Sequence, residues 1–219
     1  MVDRMRLVRV VAAIAASLSV VGLGDELTDR VGRSADGRVV TPVNQVLTPA
    51  GRQVELPGLR PQAVAVSPDG ALLVTAGKTN EVVVIDPVSG EIRGRVKPPA
   101  DDVAKPPADA ESARNLKPDT KAIESFTGLV FAPDGGRLYM SNVHGSVKVF
   151  SVVSGTVTAS HSIQLPDAKA PGRTREIPAG LAVSRDGSRL YVCGNLSNRL
   201  FEIETASGGV LRTFDVGVA

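Results

Sequence analysis

The stretch Ala65-Val-Ser-Pro-Asp-Gly70-Ala-Leu-Leu-Val-Thr75 occurs in this chain three times, with small changes. It returns as Phe131-Ala-Pro-Asp-Gly135-Gly-Arg-Leu-Tyr-Met140 and as Ala182-Val-Ser-Arg-Asp-Gly187-Ser-Arg-Leu-Tyr-Val192. Each copy runs on to a second turn, at Ser89-Gly90, Ser154-Gly155 and Ser207-Gly208. The Asp of the first turn precedes the Gly of the second by 21 residues in the first two copies and by 22 in the third. A spacing held to one residue across three copies defines one structural unit used repeatedly.

Within a copy the apolar residues fall in short runs rich in Val and Ile, such as Gln62-Ala-Val-Ala-Val66, Leu72-Leu-Val-Thr75 and Glu81-Val-Val-Val-Ile85. Runs of this length bounded by turn formers read as strands. Pro-Asp-Gly and Arg-Asp-Gly make the first turn, where Gly tolerates positive φ. Lys78-Thr-Asn80, Val143-His-Gly145 and Leu196-Ser-Asn198 make a middle turn, and the Ser-Gly pairs make the last. Each copy is therefore an antiparallel meander of four strands. Such a meander has two apolar faces, and only stacking on a sibling covers them, so the chain reads as an all-β, β-propeller-type array of blades.

The expected blades cover about residues 60–97, 123–166 and 177–217. The stretch Gln45-Val-Leu-Thr-Pro-Ala-Gly51-Arg-Gln-Val-Glu-Leu56 echoes the third and fourth strands of a blade, giving a partial blade at 37–57. From Gly51 to Gly90 is 39 residues, close to the roughly 40 to 45 of a propeller blade. Against that period two connectors are long. The one at 97–121 holds Lys97-Pro-Pro-Ala-Asp101 and the identical Lys105-Pro-Pro-Ala-Asp109, and reads as an extended, solvated excursion. The second, Pro166 to Glu176, reads as loop too. Strand alternation puts middle turns and connectors at one end of the array, with the Asp-Gly and Ser-Gly turns at the other.

Composition narrows the function classes. A net charge of +2 gives no basic footprint for nucleic acid, and seven aromatics with no Trp offer few stacking platforms for bases. The single cysteine, Cys193, excludes an internal disulfide and is expected as a small buried hydrophobe in its strand. At the N-terminus Arg4, Arg6 and Arg9 precede an apolar run from Val10 to Val21, then Gly22-Leu-Gly24 and an acidic pair. That is a signal-peptide pattern over residues 1–24, with an uncleaved anchor as the alternative. It implies an exported chain, periplasmic or at the cell surface, with residues 25–219 forming the incomplete propeller.

Two segments, Gly77-Lys-Thr-Asn-Glu-Val-Val-Val-Ile-Asp86-Pro-Val-Ser-Gly90 and Arg189-Leu-Tyr-Val-Cys-Gly-Asn195, resemble the YVTN β-propeller repeat of bacterial exported proteins. The resemblance covers about residues 37 to 217. The leader Asp36 to Gln53 is similar to that of exported proteins in which such a propeller precedes an alkaline-phosphatase-like phosphoesterase domain. The resemblance then implies an accessory propeller, since no stretch here supplies the metal-binding Asp/His clusters and nucleophile of that chemistry. Cys193-Gly194 stands where the repeat has Thr-Asn.

Ring closure pairs first and last strands in one shared blade. The N-terminal echo supplies an outer pair, so closure requires an inner pair beyond residue 216, where three residues remain. An uncovered blade face of several hundred Å² costs on the order of 10 kcal/mol at about 25 cal/mol per Å². The sequence thus reads as the N-terminal part of a longer protein, or as an open arc completed by self-association.

No catalytic residue, metal site or cofactor is implied. His144 lies at a hairpin tip and His161 on an outer strand expected at the surface; the two make no metal motif. Asp69, Asp134 and Asp186 are accounted for by turn chemistry. Lys97, Lys105, Arg173 and Arg175 alternate with Asp101, Asp102, Asp109 and Glu176 in what reads as a mixed, solvated rim. The candidate binding residues are those of the loop face: Lys78, Asn80, Asn142, His144, Asn195 and Asn198. The expected partner is a protein, a glycan or an adjacent domain of the same parent chain, with no nucleic acid, and with a membrane only through the N-terminal segment. The enzymatic alternative is a lactonase-like propeller of the phosphogluconolactonase type, against which the small apolar inner strands at 63–66 and 180–183 argue.

Overall fold

The computed structural model describes residues 30–109, 112 and 116–217, so the apolar N-terminal run lies outside the described residues. Fifteen strands are found among them. They are β1 (Gly32–Arg33), β2 (Val39–Val40), β3 (Val46–Leu47), β4 (Pro61–Val66), β5 (Leu73–Gly77), β6 (Val82–Ile85), β7 (Ile92–Val96), β8 (Glu124–Phe131), β9 (Arg137–Asn142), β10 (Ser146–Val153), β11 (Thr156–Gln164), β12 (Pro178–Val183), β13 (Arg189–Gly194), β14 (Arg199–Glu204) and β15 (Val210–Asp215). The chain divides into two compact units at Arg52.

In the second unit β4–β7, β8–β11 and β12–β15 form three four-stranded sheets, each with neighbours in chain order and all pairs antiparallel. These are three blades of a β-propeller. Each first turn closes with a hydrogen bond to the Gly amide, from Gly70 to Ser67 O, Gly135 to Ala132 O and Gly187 to Ser184 O at 2.8–2.9 Å. The three glycines have φ between +71° and +73°, a conformation other residues reach only with strain. Ser67 and Ser184 donate to Asp69 and Asp186 two residues on and accept from the amides of Leu72 and Arg189. Hydrogen bonds from Ser184 and then Ser188 hold the Asp186 carboxyl down at about 2. The aspartates are turn builders, as their recurrence implied.

Two apolar layers hold the blades together. Ala63, Val74, Ala76, Val82 and Val84 of blade 1 pack on Leu129, Phe131, Leu138, Met140 and Phe150 of blade 2. Tyr139, Val147, Val149 and Ile163, on the other face of blade 2, pack on Leu190, Val192, Phe201 and Ile203 of blade 3. The first strands β4, β8 and β12 lie side by side and are innermost. Gly128 on β8 sits where a Cβ would fall 2.0 Å from Ser141 Oγ and 2.4 Å from Ala179 O, so blades 2 and 3 meet there backbone to backbone.

The first unit corrects the reading of the N-terminal segment. Residues 45–56 were expected as an outer strand pair around Gly51, but only Val46–Leu47 is a strand, and it pairs with β2 in a sheet of order β1-β2-β3. The β1–β2 turn is Ser34-Ala-Asp-Gly37, a fourth copy of the Asp-Gly turn, with Gly37 at φ +84° and its amide on Ser34 O. The unit is the first three strands of a short blade, so the closure argument built on an outer pair does not hold. Residues 53–59 belong to the second unit, where Val54, Leu56 and Leu59 pack on Val83 and Ile85.

Candidate binding surface

The two ends differ as expected. Ser67, Asp69, Asp134, Gly135, Ser154 and Gly155, all from Asp-Gly and Ser-Gly turns, line one shallow depression of about 310 Å³. The other end carries the middle turns and the connectors, and there the chain departs from its repeat.

The connector between blades 1 and 2 is the solvated excursion expected of Pro-rich sequence only in part: Lys105, Pro106, Ala108 and Asp109 are exposed. Pro98 and Pro99 are buried, and the connector folds back on blade 2 around Lys148, whose side chain is 0% exposed. Lys148 Nζ donates at 2.8 Å to Pro99 O, Asp101 Oδ1 and Asp119 Oδ2, and at 3.2 Å to Ser162 Oγ. Burial pushes the Asp101 carboxyl up, but hydrogen bonds from Lys148, Ser146 and Gln164 outweigh it, and Asp101 lies below its usual range; Asp119 does likewise. A buried ammonium needs such partners, because leaving it bare in a low-dielectric interior costs several kcal/mol. Asp101 thereby leaves the mixed rim of the sequence reading.

The other connectors behave alike. Arg175 and Arg173 from the segment before β12 donate to His144 O at 3.2 Å and to Val143 O, pinning the blade 2 middle turn. Glu176, expected in the solvated rim, is buried, and its carboxylate accepts from the amides of Ile177 at 2.9 Å, Leu196 at 2.8 Å and Ser197 at 3.2 Å. Asn80 Nδ2 donates to Thr120 O at 3.3 Å.

These contacts place the candidate residues. Lys78, Asn195 and Asn198 are exposed, Asn80 and His144 half-buried, and all lie in the middle turns of their blades. Asn142 is buried and fully engaged, accepting from Ile123 N at 3.2 Å and donating to Ser146 Oγ at 2.9 Å, so it holds the turn that presents His144. His161, expected at the surface, is buried on the blade 2 face that meets blade 3. Burial, then the Arg137 charge, lowers it to about 4, and Ser160 Oγ lies 3.0 Å from its Nδ1. Cys193, expected buried, is exposed.

The inner strands are not uniformly apolar. Glu124 opens β8 with 2% exposure, and neither carboxylate oxygen has a hydrogen-bond partner. Burial raises it to about 7; the Gly128 amide lies near enough to pull weakly the other way but closes no hydrogen bond to it. Glu124 pairs with Asn142 where blades 1 and 3 pair Pro61 with Gly77 and Pro178 with Gly194. Blade 2 has two more residues between that pair and its Asp-Gly turn, taken up in a bulge with Phe126 half-exposed at φ +56°. Sequence reasoning missed Lys148 and Glu124; the signal for Lys148 was a charge in Val147-Lys-Val-Phe150 where the sister blades have Val83 and Phe201.

No family model matches the chain, and no curated protein matches it at a significant level. Solved structures share its fold. The structure of U3-55K superposes with a TM-score of 0.56 at 14% identity, over 76% of this chain and 42% of that one. The WD40 repeats of RRP9 give 0.54 at 14% identity over 76% and 41%. The β-propeller domain of Cps50 (Swd1) from Myceliophteria thermophila gives 0.54 at 14% identity, over 84% and 50%. The chain thus spans half or less of the propellers it matches. It is a β-propeller protein of four-stranded antiparallel blades, three complete and a shorter one at the N-terminus.

Proposed function

We propose that this chain is an exported, non-catalytic propeller module of the YVTN type that binds a protein partner through its connector end. One observation carries this reading: the two long connectors are each tied to the blade they precede or to a middle turn, by Lys148, Arg173, Arg175 and Glu176. A rim of loops held in this way loses little entropy on binding, which is how a loop surface gains affinity. Lys78, His144, Asn195 and Asn198 are the side chains it presents. An adjacent phosphoesterase-like domain of the same parent chain is the narrower form of the partner.

The test is site-specific photo-cross-linking in cells that express the protein natively. A benzophenone side chain at Lys78 or His144 is expected to capture one defined partner outside the cytoplasm, and one at Val88 or Ala206, in the opposite turns, is not. Equal capture from both ends sinks the proposal. A second reading, lactone hydrolysis at the inner strands, is favoured by Glu124 alone, whose raised pKa suits proton transfer near neutrality. Turnover of a lactone panel, lost in Glu124→Gln, would support it.

A further inference from the structure

We infer that the connector end is a cationic docking surface for the acidic face of another protein. The inference rests on the proposed function for the end at which a partner binds, and adds the chemistry of that partner. By sequence the two long connectors alternate charges of both signs, and the whole chain carries only +2. Folding removes the balance. Asp101 and Asp119 are turned onto the buried Lys148, and Glu176 is buried on the amides of Ile177, Leu196 and Ser197. The lysines have no such sink. Lys78, Lys97, Lys105, Lys117, Lys121 and Lys169 are all exposed, and none forms an ion pair among the described residues. Among the described residues of the two connectors, Asp102, Asp109 and Asp167 are the exposed carboxylates beside them.

The lysines stand on a fixed base. The connector before blade 2 doubles back as a short ribbon in which Pro99 bridges Pro118, Ala100 N donates to Lys117 O at 3.1 Å and Asp119 N to Pro98 O at 2.9 Å. Ser162 N donates to Val103 O at 2.7 Å and ties the ribbon to β11. Lys97, Lys117 and Lys121 belong to the two arms of this ribbon. The opposite end has the reverse bias. There Asp69, Asp134, Asp186 and Glu91 are exposed against Arg93 and Arg185, and Arg93 is already paired with Asp86. A partner bearing negative charge is therefore steered to the connector end.

Three features choose an acidic protein over other anions. Arg173 and Arg175, whose forks would grip a phosphate through two parallel hydrogen bonds, donate instead to Val143 O and His144 O. Neither the connectors nor the middle turns hold an aromatic residue on which a sugar ring could stack. A membrane or glycan that is negative throughout would meet Asp102, Asp109 and Asp167, whereas a protein face can set neutral residues against them.

The test uses the purified full chain and three probes: a fluorescent peptide of alternating Glu and Ser, heparin, and vesicles of phosphatidylcholine with phosphatidylglycerol. The peptide is expected to bind, about tenfold more weakly when sodium chloride rises from about 50 to about 500 mM. Lys97→Glu/Lys117→Glu/Lys121→Glu should weaken it by about tenfold or more, Lys78→Glu/Lys169→Glu by less, and Arg185→Glu at the opposite end not at all. Each is read on variants whose melting temperature matches wild type. No peptide binding by wild type at about 1 mM, binding indifferent to both sets of reversals, or tighter binding of heparin or vesicles than of peptide, overturns the inference. Photo-cross-linking separates it from the proposed function. A partner captured from the triple variant as strongly as from wild type sinks the acidic partner alone, whereas no capture at all sinks the proposed function.

Discussion

Blade 2 and its two neighbours are cut from one pattern yet bury different chemistry. Where blade 1 has Val83 and blade 3 has Phe201, blade 2 has Lys148. Where they pair Pro with Gly at the start of the inner strand, it pairs Glu124 with Asn142. Where they have Gly94 and Arg212, it has the buried His161. All three blades keep the Asp-Gly turn, so the scaffold tolerates three ionisable groups in its middle member without losing register. The middle blade is covered on both faces, and covered faces are where a charge needs a partner brought to it. The connector before blade 2 supplies Asp101 and Asp119 for Lys148, while Glu124 is left without one.

The largest effect is expected at Lys148. Lys148→Val gives blade 2 the residue of blade 1 and leaves Asp101, Asp119 and Ser162 without their shared donor. Unfolding free energy should fall by about 3 kcal/mol in urea titration, and limited proteolysis should begin to cut within 97–121. A neutral Lys148→Val would mean that the two blades are interchangeable at this position and that the connector is held by other contacts.

Acid and base should find different weak points in the same blade. His161, held at about 4 against 6.5 in the unfolded chain, binds its proton less readily when folded, so its contribution is lost as pH falls from about 6.5 towards 4. Glu124 has the opposite sign: at about 7 against 4.5 it binds its proton more readily when folded, so stability is lost as pH rises from about 4.5 through 7. The two ranges overlap, so these groups offset each other from about pH 4.5 to 6.5, where stability should be flat, and it should fall on either side. Glu124→Gln is expected to gain about 2 kcal/mol at pH 8 and to change little at pH 5. A His161→Gln chain should lose that flat region, its stability falling steadily as pH rises from about 4.5 to 7. A pH profile unchanged in both variants would dissolve the contrast between blades.

The smallest effect separates the turns. Ser67→Ala removes a hydroxyl that donates to Asp69 and accepts from Leu72 N, and should cost about 1 kcal/mol by thermal unfolding. Blade 2 already has Ala132 at this place, so Ala132→Ser should be neutral or gain a few tenths of a kcal/mol.

Much of the fold was legible because its signals are local. Asp-Gly turns fix glycine backbones within four residues, and apolar runs of strand length between them leave no helix reading. The fourth turn copy at Ser34–Gly37 escaped notice because its flanking strands are two residues long, with no apolar run to mark them. The loop-face candidates Lys78, His144, Asn195 and Asn198 followed from strand alternation alone, but Asn142 sits one residue inside its strand, and only the hydrogen bonds to Ile123 and Ser146 reveal it as a turn holder.

The sequence by itself determined the blade, its turns, its period and the end at which irregular chain accumulates, because each depends on contacts between residues close in number. Tertiary structure alone decided which face of a strand is covered. Cys193 and His161 lie on equivalent faces of blades 3 and 2, yet one is exposed and the other buried, since burial depends on whether another blade lies against that face. Lys148 and its acceptors are separated by up to 49 residues, and no local pattern encodes where a Pro-rich connector will come to rest.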